Sequence, residues 1–167
     1  SKGKEHYYQR EEMPSYAHSF LLTGLLSPDY VDIKGDGITE DDLGNAVKFN
    51  YSKLIYGDRD FIKWRMPFSA TSNLANYSKG IVTDKSDDKA HYSYGEREQW
   101  YLNSIESKTM IATFVMDPVL REDGKEAVGE EGGVNGAAGS YRLKEINLYS
   151  KAAYKISGPS TKPIKTV

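Results

Sequence analysis

From Asn45 onward, aromatic and branched apolar residues repeatedly alternate with polar ones, and a period of two confines a chain to pleated sheet. Val47, Phe49, Tyr51 and Ile55 project to one face, with Lys48, Asn50 and Ser52 on the other. After a turn at Tyr56-Gly-Asp-Arg-Asp60, a second strand over Phe61–Phe68 sets Ile62, Trp64 and Met66 against Lys63 and Arg65. Pro67 should end its pairing or place it at an edge. Ala90 to Ser107 reads as a strand pair or one long bent strand. Glu106-Ser-Lys108 is a hairpin-like turn into Thr109–Met116, a run apolar on both faces as in a central strand. Asp117-Pro118 marks its end. Tyr141–Tyr149 returns to strand pattern, and Ile164–Val167 begins another extended segment. The thirteen Tyr, five Phe and two Trp suit half-buried pleated surfaces. The expected fold class is therefore mostly β: antiparallel sheet with long acidic and Gly-rich loops and at most one short helix.

The segments between the strands set the organisation. Residues 1–14 are an extended polar lead-in, and 15–167 reads as a single β-rich domain, in keeping with a length of 167 residues. Ser15–Leu26 is apolar with a spacing that fits either a short helix or a strand, and Ser27-Pro-Asp29 closes it with turn chemistry. Residues 69–89 and 119–140 are expected to be flexible loops, the second too polar and Gly-rich to pack. A net charge of -2 argues against nucleic-acid partners. No apolar run approaches the roughly 20 residues that span a bilayer, so no membrane insertion is expected. The absence of cysteine removes disulfides and thiolate sites. With neither an initiator Met nor a signal-like start, the chain reads as a piece of a longer protein, or a processed one.

Asp32-Ile-Lys-Gly-Asp-Gly-Ile-Thr-Glu-Asp-Asp-Leu43 is the segment most like a site. A calcium loop needs hard oxygen ligands about two residues apart and a Gly where the backbone turns sharply. Asp32, Asp36, the Ile38 carbonyl and Glu40 fall at positions one, five, seven and nine, with Gly37 at six. Lys34 stands where a ligand belongs at position three, and Leu43 replaces the closing Glu; Asp41 or Asp42 would then have to compensate. The competing reading is an acidic surface turn, with Asp41 or Asp42 capping a short helix near 40–45. Calcium is the one cofactor this chemistry points to.

Other chemistry is thinner. His6, His18 and His91 share no metal-ligand spacing. Ser-His-Asp catalysis lacks its constrained serine turn. Gly132-Gly-Val-Asn-Gly136 lacks the Lys-Ser/Thr of a phosphate loop. Loop carboxylates such as Asp58 with Asp60 admit a glycan-active reading. Trp64, Tyr92, Tyr94, Trp100 and Tyr101 could line a glycan or peptide platform, or pair across strands.

Four segments carry a family likeness: Tyr16–Asp32, Asp41-Asp-Leu-Gly with Val47–Tyr51, Tyr94–Glu106, and Arg142–Lys151. Together they resemble an internal segment of very large exported surface proteins of Bacteroidetes-type bacteria. The Trp100–Glu106 tract and the turn after it are also similar to the hairpin unit of Rhs/YD-repeat and toxin-complex proteins, without a clear YD signature. The resemblance implies an extracellular or cell-surface setting, a mostly β fold and neighbouring domains of the same chain as partners. It brings no catalytic residue. A non-enzymatic structural or binding module, with a calcium-stabilised loop, is the expectation. A carbohydrate-binding or glycan-active domain and a β-shell segment of an Rhs-like toxin are the alternatives.

Overall fold

The computed structural model describes residues 11–66, 93–130 and 132–167. The loop read at 69–89, together with His91 and Tyr92, lies outside them. Among the described residues the fold is mostly β, with antiparallel pairing. The strands are β1 (Gly24–Leu26), β2 (Ala46–Lys53), β3 (Ile62–Met66), β4 (Ser93–Arg97), β5 (Trp100–Glu106), β6 (Met110–Gly129), β7 (Gly132–Ser150) and β8 (Lys165–Thr166). One short helix, α1 (Lys151–Ser157), runs into a 3-10 turn at Gly158–Ser160. No helix among these residues is long and apolar enough to cross a membrane.

The contacts divide the chain into two compact units, where the sequence reading treats 15–167 as one domain. The first takes 11–16, 54–66, 93–99, 118–130 and 132–142 among the described residues. The second takes Ala17–Lys53, Trp100–Asp117 and Leu143–Val167. Strands β6 and β7 each give one end to either unit. One sheet has the order β1-β2-β5-β6-β7-β8, and β3 and β4 form a separate two-stranded ribbon.

In the second unit the alternation acts as read. Lys48 and Ser52 of β2 are exposed while Val47, Phe49 and Tyr51 are half-buried. β2 pairs with β5 from Lys48↔Glu106 to Lys53↔Trp100, with an irregularity at Asn50/Tyr51. There Asn50 donates to Ser104 Oγ at 2.9 Å and to Glu106 Oε1 at 2.6 Å. The turn Ser107–Met110 closes on a 2.9 Å backbone bond, and β6 begins beside β5 with Ile105↔Ala112. Ile111 and Tyr149 are buried here. β8 adds to β7 through Asn147↔Thr166 and Leu148↔Lys165.

In the first unit the expected loop at 119–140 is largely strand. β6 continues past Asp117-Pro118 to Gly129, and β7 begins at Gly132. The β5 register stops at Ser104↔Thr113, so Pro118 interrupts no bond to β5. The small residues Ala127 and Ala138 are buried, and so is Glu126, at 2 % exposure. A carboxylate survives there because it is saturated with donors. Arg59 grips it bidentately, Nη1 to Oε1 at 2.7 Å and Nη2 to Oε2 at 3.0 Å. The Lys63 N–H donates to Oε1 at 3.0 Å and the Asn135 amide to Oε2 at 2.7 Å. Burial alone would raise the Glu126 carboxyl, but Arg59, the Lys63 N–H and Asn135 together hold it below the usual range. On β3 Ile62 is buried as its face predicts, but the alternation then breaks. Arg65 is buried, its Nε donating to the Glu130 carbonyl at 2.8 Å, while Met66 is exposed.

Two further expectations change. No helix forms at 40–45; the loop's backbone N–H groups go to Asp32 and Asp42 instead. The helix lies at Lys151–Ser157, ended by Gly158 at φ 54°. Ile55, read as inward-facing, lies beyond the end of β2 and is exposed.

Candidate functional site

The acidic loop is pinched shut at its base. Val31 and Leu43 exchange backbone hydrogen bonds of 3.1 Å in both directions, so residues 32–42 leave and return at one point of the second unit. Behind this base Gly44 adopts φ 77°, and an added Cβ would lie 2.4 Å from the Asp29 carbonyl oxygen. Only glycine meets both demands.

Two aspartates build the inside of the loop. Asp32 accepts the Gly35 N–H at 2.6 Å and the Gly37 N–H at 2.9 Å, with Gly37 at φ 88° to make the turn. Asp42 accepts the Thr39 N–H at 2.8 Å and the Ile33 N–H at 3.2 Å. The Tyr30 hydroxyl donates to Asp42 Oδ2 at 2.7 Å. The Thr39 N–H, followed by Tyr30, lowers the Asp42 pKa. Desolvation, reinforced by the Asp42 hydrogen bond, pushes the Tyr30 phenol up to about 12, so it stays a donor.

Of the six ligands the sequence suggests, three meet. Carboxylate oxygens of Asp32, Asp36 and Asp42 lie within 4.8 Å of one another. Asp36 makes no hydrogen bond or ion pair among the described residues. The other three are engaged elsewhere. Lys34 folds onto Asp41 at 2.7 Å and lowers its pKa, with help from Thr39. Glu40 turns to Lys155 and Lys151, and Lys155 leads in lowering its pKa. The Ile38 carbonyl accepts Lys48 Nζ at 3.3 Å. Among the described residues, Asp32, Asp36 and Asp42, the last at the eleventh position of the loop, form a group that could hold a hard cation.

Within each unit, the described aromatics of the sequence reading fall on opposite strand faces. In the β3–β4 ribbon Trp64 pairs with Gly95, and Arg65 with Tyr94. Side chains of directly paired residues share a face and neighbours alternate, so Trp64 and Tyr94 point to opposite faces. The Trp64 indole covers Gly95, where an added Cβ would lie 3.2 Å from its Nε1. Trp100 and Tyr101 belong to the other unit and are successive residues of β5, again on opposite faces. Lys53 Nζ sits 5.7 Å from the Trp100 ring centroid, an intramolecular cation–π contact. Trp64 over Gly95 and Lys53 against Trp100 are cross-strand contacts, each within its own unit.

The sequence reading missed a cleft beside the loop, about 570 Å³ in volume, within the second unit. Lys48, Lys108, Lys151 and Lys155 line it with Glu40 and Glu106. Its signal was weak: the lysines are dispersed along the chain, and only Lys151 and Lys155 show the i, i+4 spacing of one helix face. No family model, curated protein or solved structure matches the chain.

Proposed function

We propose that this chain is a non-enzymatic structural or binding module of a large exported surface protein, joining neighbouring parts of the same long chain through the segment around β1. One observation carries the reading. Phe20, Leu21, Leu22, Leu25, Leu26, Val31 and Ile33 stand 43–89 % exposed within a single short stretch. Isolated exposed apolar residues are ordinary; a run of this kind marks a contact surface. β1 is also an edge strand. Thr23 O and Ser27 N bond toward β2, so by alternation Gly24 and Leu26 direct their backbone groups outward, ready for an added strand. The likeness to exported surface proteins supports the extracellular setting and the identity of the partner. In the same reading a calcium ion held by Asp32, Asp36 and Asp42 stabilises the loop that follows β1, offsetting three clustered negative charges.

Hydrogen exchange tests the main claim. The amides of residues 20–26 should exchange at least about tenfold more slowly when the chain is extended with its parent sequence than when it stands alone. Equal exchange rates in the two would sink the proposal. A second reading, a wall segment of an Rhs-like β-shell, draws on the 20- and 19-residue strands β6 and β7. It requires similar hairpins to recur in the parent chain, and a parent sequence without them removes it.

A further inference from the structure

The lysine-lined cleft lies in the second unit and shares none of its lysines with the apolar segment. Lys48 stands on β2, Lys108 in the turn between β5 and β6, and Lys151 and Lys155 on successive turns of α1. The charges of α1 are already matched. Lys151 Nζ lies 3.4 Å from Glu40 and 3.0 Å from Glu106, and Lys155 pairs with Glu40, giving two cations for two anions. Asp42, also at the cleft wall, is occupied by the Thr39 and Ile33 N–H groups and the Tyr30 hydroxyl.

Lys48 and Lys108 are different. Lys48 donates to the Ile38 carbonyl and Lys108 to the Gly44 carbonyl, each at 3.3 Å. Neither has a carboxylate within ion-pair distance among the described residues. An ammonium has three donors, so each lysine retains capacity beyond its single carbonyl contact. Asp29, the carboxylate whose pKa Lys108 helps lower, is itself hydrogen-bonded by Ser27. The cleft lining therefore sets four lysines against three carboxylates, Glu40, Asp42 and Glu106, and leaves Lys48 and Lys108 without an ion-pair partner among the described residues. Its volume of about 570 Å³ falls in the range of small-molecule sites and exceeds the need of a bare inorganic ion. Tyr30, Ile38, Ala46 and Ala152 add an uncharged wall against which a ligand body can rest.

We propose that this cleft binds a sugar-sized organic oxyanion, with Lys48 and Lys108 gripping its sulfate, phosphate or carboxylate group and the uncharged wall holding its body. The shared chemistry is a compact oxyanion on an organic body, and the probes distinguish its sources. Calorimetric titration of the full chain would use glucose 6-phosphate, a 6-sulfated disaccharide and a disaccharide uronate, with inorganic phosphate and sulfate as competitors. Saturable binding of at least one organic anion, displaced by an inorganic ion, is the expected result. The Lys48→Ala/Lys108→Ala variant should bind about tenfold more weakly. The Lys48→Gln/Lys108→Gln variant, which keeps a donor for each carbonyl, should show the same loss with its melting temperature retained. Binding of inorganic ions alone, no binding at about 10 mM of any organic probe, or unchanged affinity in the glutamine variant would each overturn the proposal.

Discussion

Replacing Glu126 with alanine removes one carboxylate and strands four donor groups on three residues. The Arg59 guanidinium loses both arms of its fork, and the Lys63 N–H and Asn135 amide lose acceptors at 3.0 and 2.7 Å. An orphaned buried donor costs about 1–3 kcal/mol, and breaking a buried ion pair from one side about 3–5. Arg59 keeps 32 % side-chain exposure and can turn partly to water, which lowers the sum. The expected loss is about 3 kcal/mol for the unit that contains β3. Urea denaturation followed by Trp64 fluorescence in a Trp100→Phe background would report on that unit. Glu126→Gln keeps a carbonyl acceptor and should lose about half as much. The pH dependence has a fixed sign. The folded pKa of Glu126 is depressed, so its stabilisation is present above the unfolded value of about 4.3 and disappears as pH falls through the folded value. The alanine variant should lack this acid-side contribution. A loss under about 0.5 kcal/mol, or an unchanged acid limb, would refute the assignment of Glu126 as the centre of its network.

Gly44→Ala combines a φ of 77° with a Cβ 2.4 Å from the Asp29 oxygen; a loss of at least about 2 kcal/mol is expected by urea titration. Tyr30→Phe removes a donor to Asp42. In the parent, the raised phenol contributes stability fully below its unfolded pKa of about 10, and that contribution is lost as pH climbs toward about 12. Alkaline melting curves should show this loss in the parent and not in the phenylalanine variant. Calcium at about 1 mM should raise the melting temperature, and Asp36→Ala should abolish the rise without changing the calcium-free value. An equal rise in the variant would remove Asp36 from the ligand set.

Much of the second unit was legible because its evidence is local. The alternation Val47-Lys-Phe-Asn-Tyr51, the turn Glu106-Ser-Lys108 and the doubly apolar run from Thr109 each point to β2, the β5–β6 connection and central β6. The stretch 119–140 misled because composition weighs glycines and glutamates as solvated. There the small residues permit close strand packing, and Arg59, distant in sequence, neutralises Glu126. On β3 the alternation is broken by Arg65, which is buried with Ile62 and gives its Nε to the Glu130 carbonyl. Helix α1 carries readable signals in Ala152, Ala153 and the Gly158-Pro159 stop. In the acidic loop, Asp32 and Asp36 were visible from the Asp-Gly turn. The preference for Asp42 over Glu40 and Asp41 depends on Lys34, Lys151 and Lys155, and tertiary contacts decide it.

The interleaving of the two units constrains how this chain is made and cut. The second unit is assembled from Ala17–Lys53, Trp100–Asp117 and Leu143–Val167, so its first segment waits for two later ones before its sheet is complete. Lys53 finds Trp100 only after an intervening stretch has been synthesised, and such distant closure is slow because loop entropy is lost before contacts reward it. Truncation boundaries placed anywhere between 54 and 142 would leave both units without segments. A series of C-terminal truncations ending between 54 and 141 should therefore leave each unit incomplete.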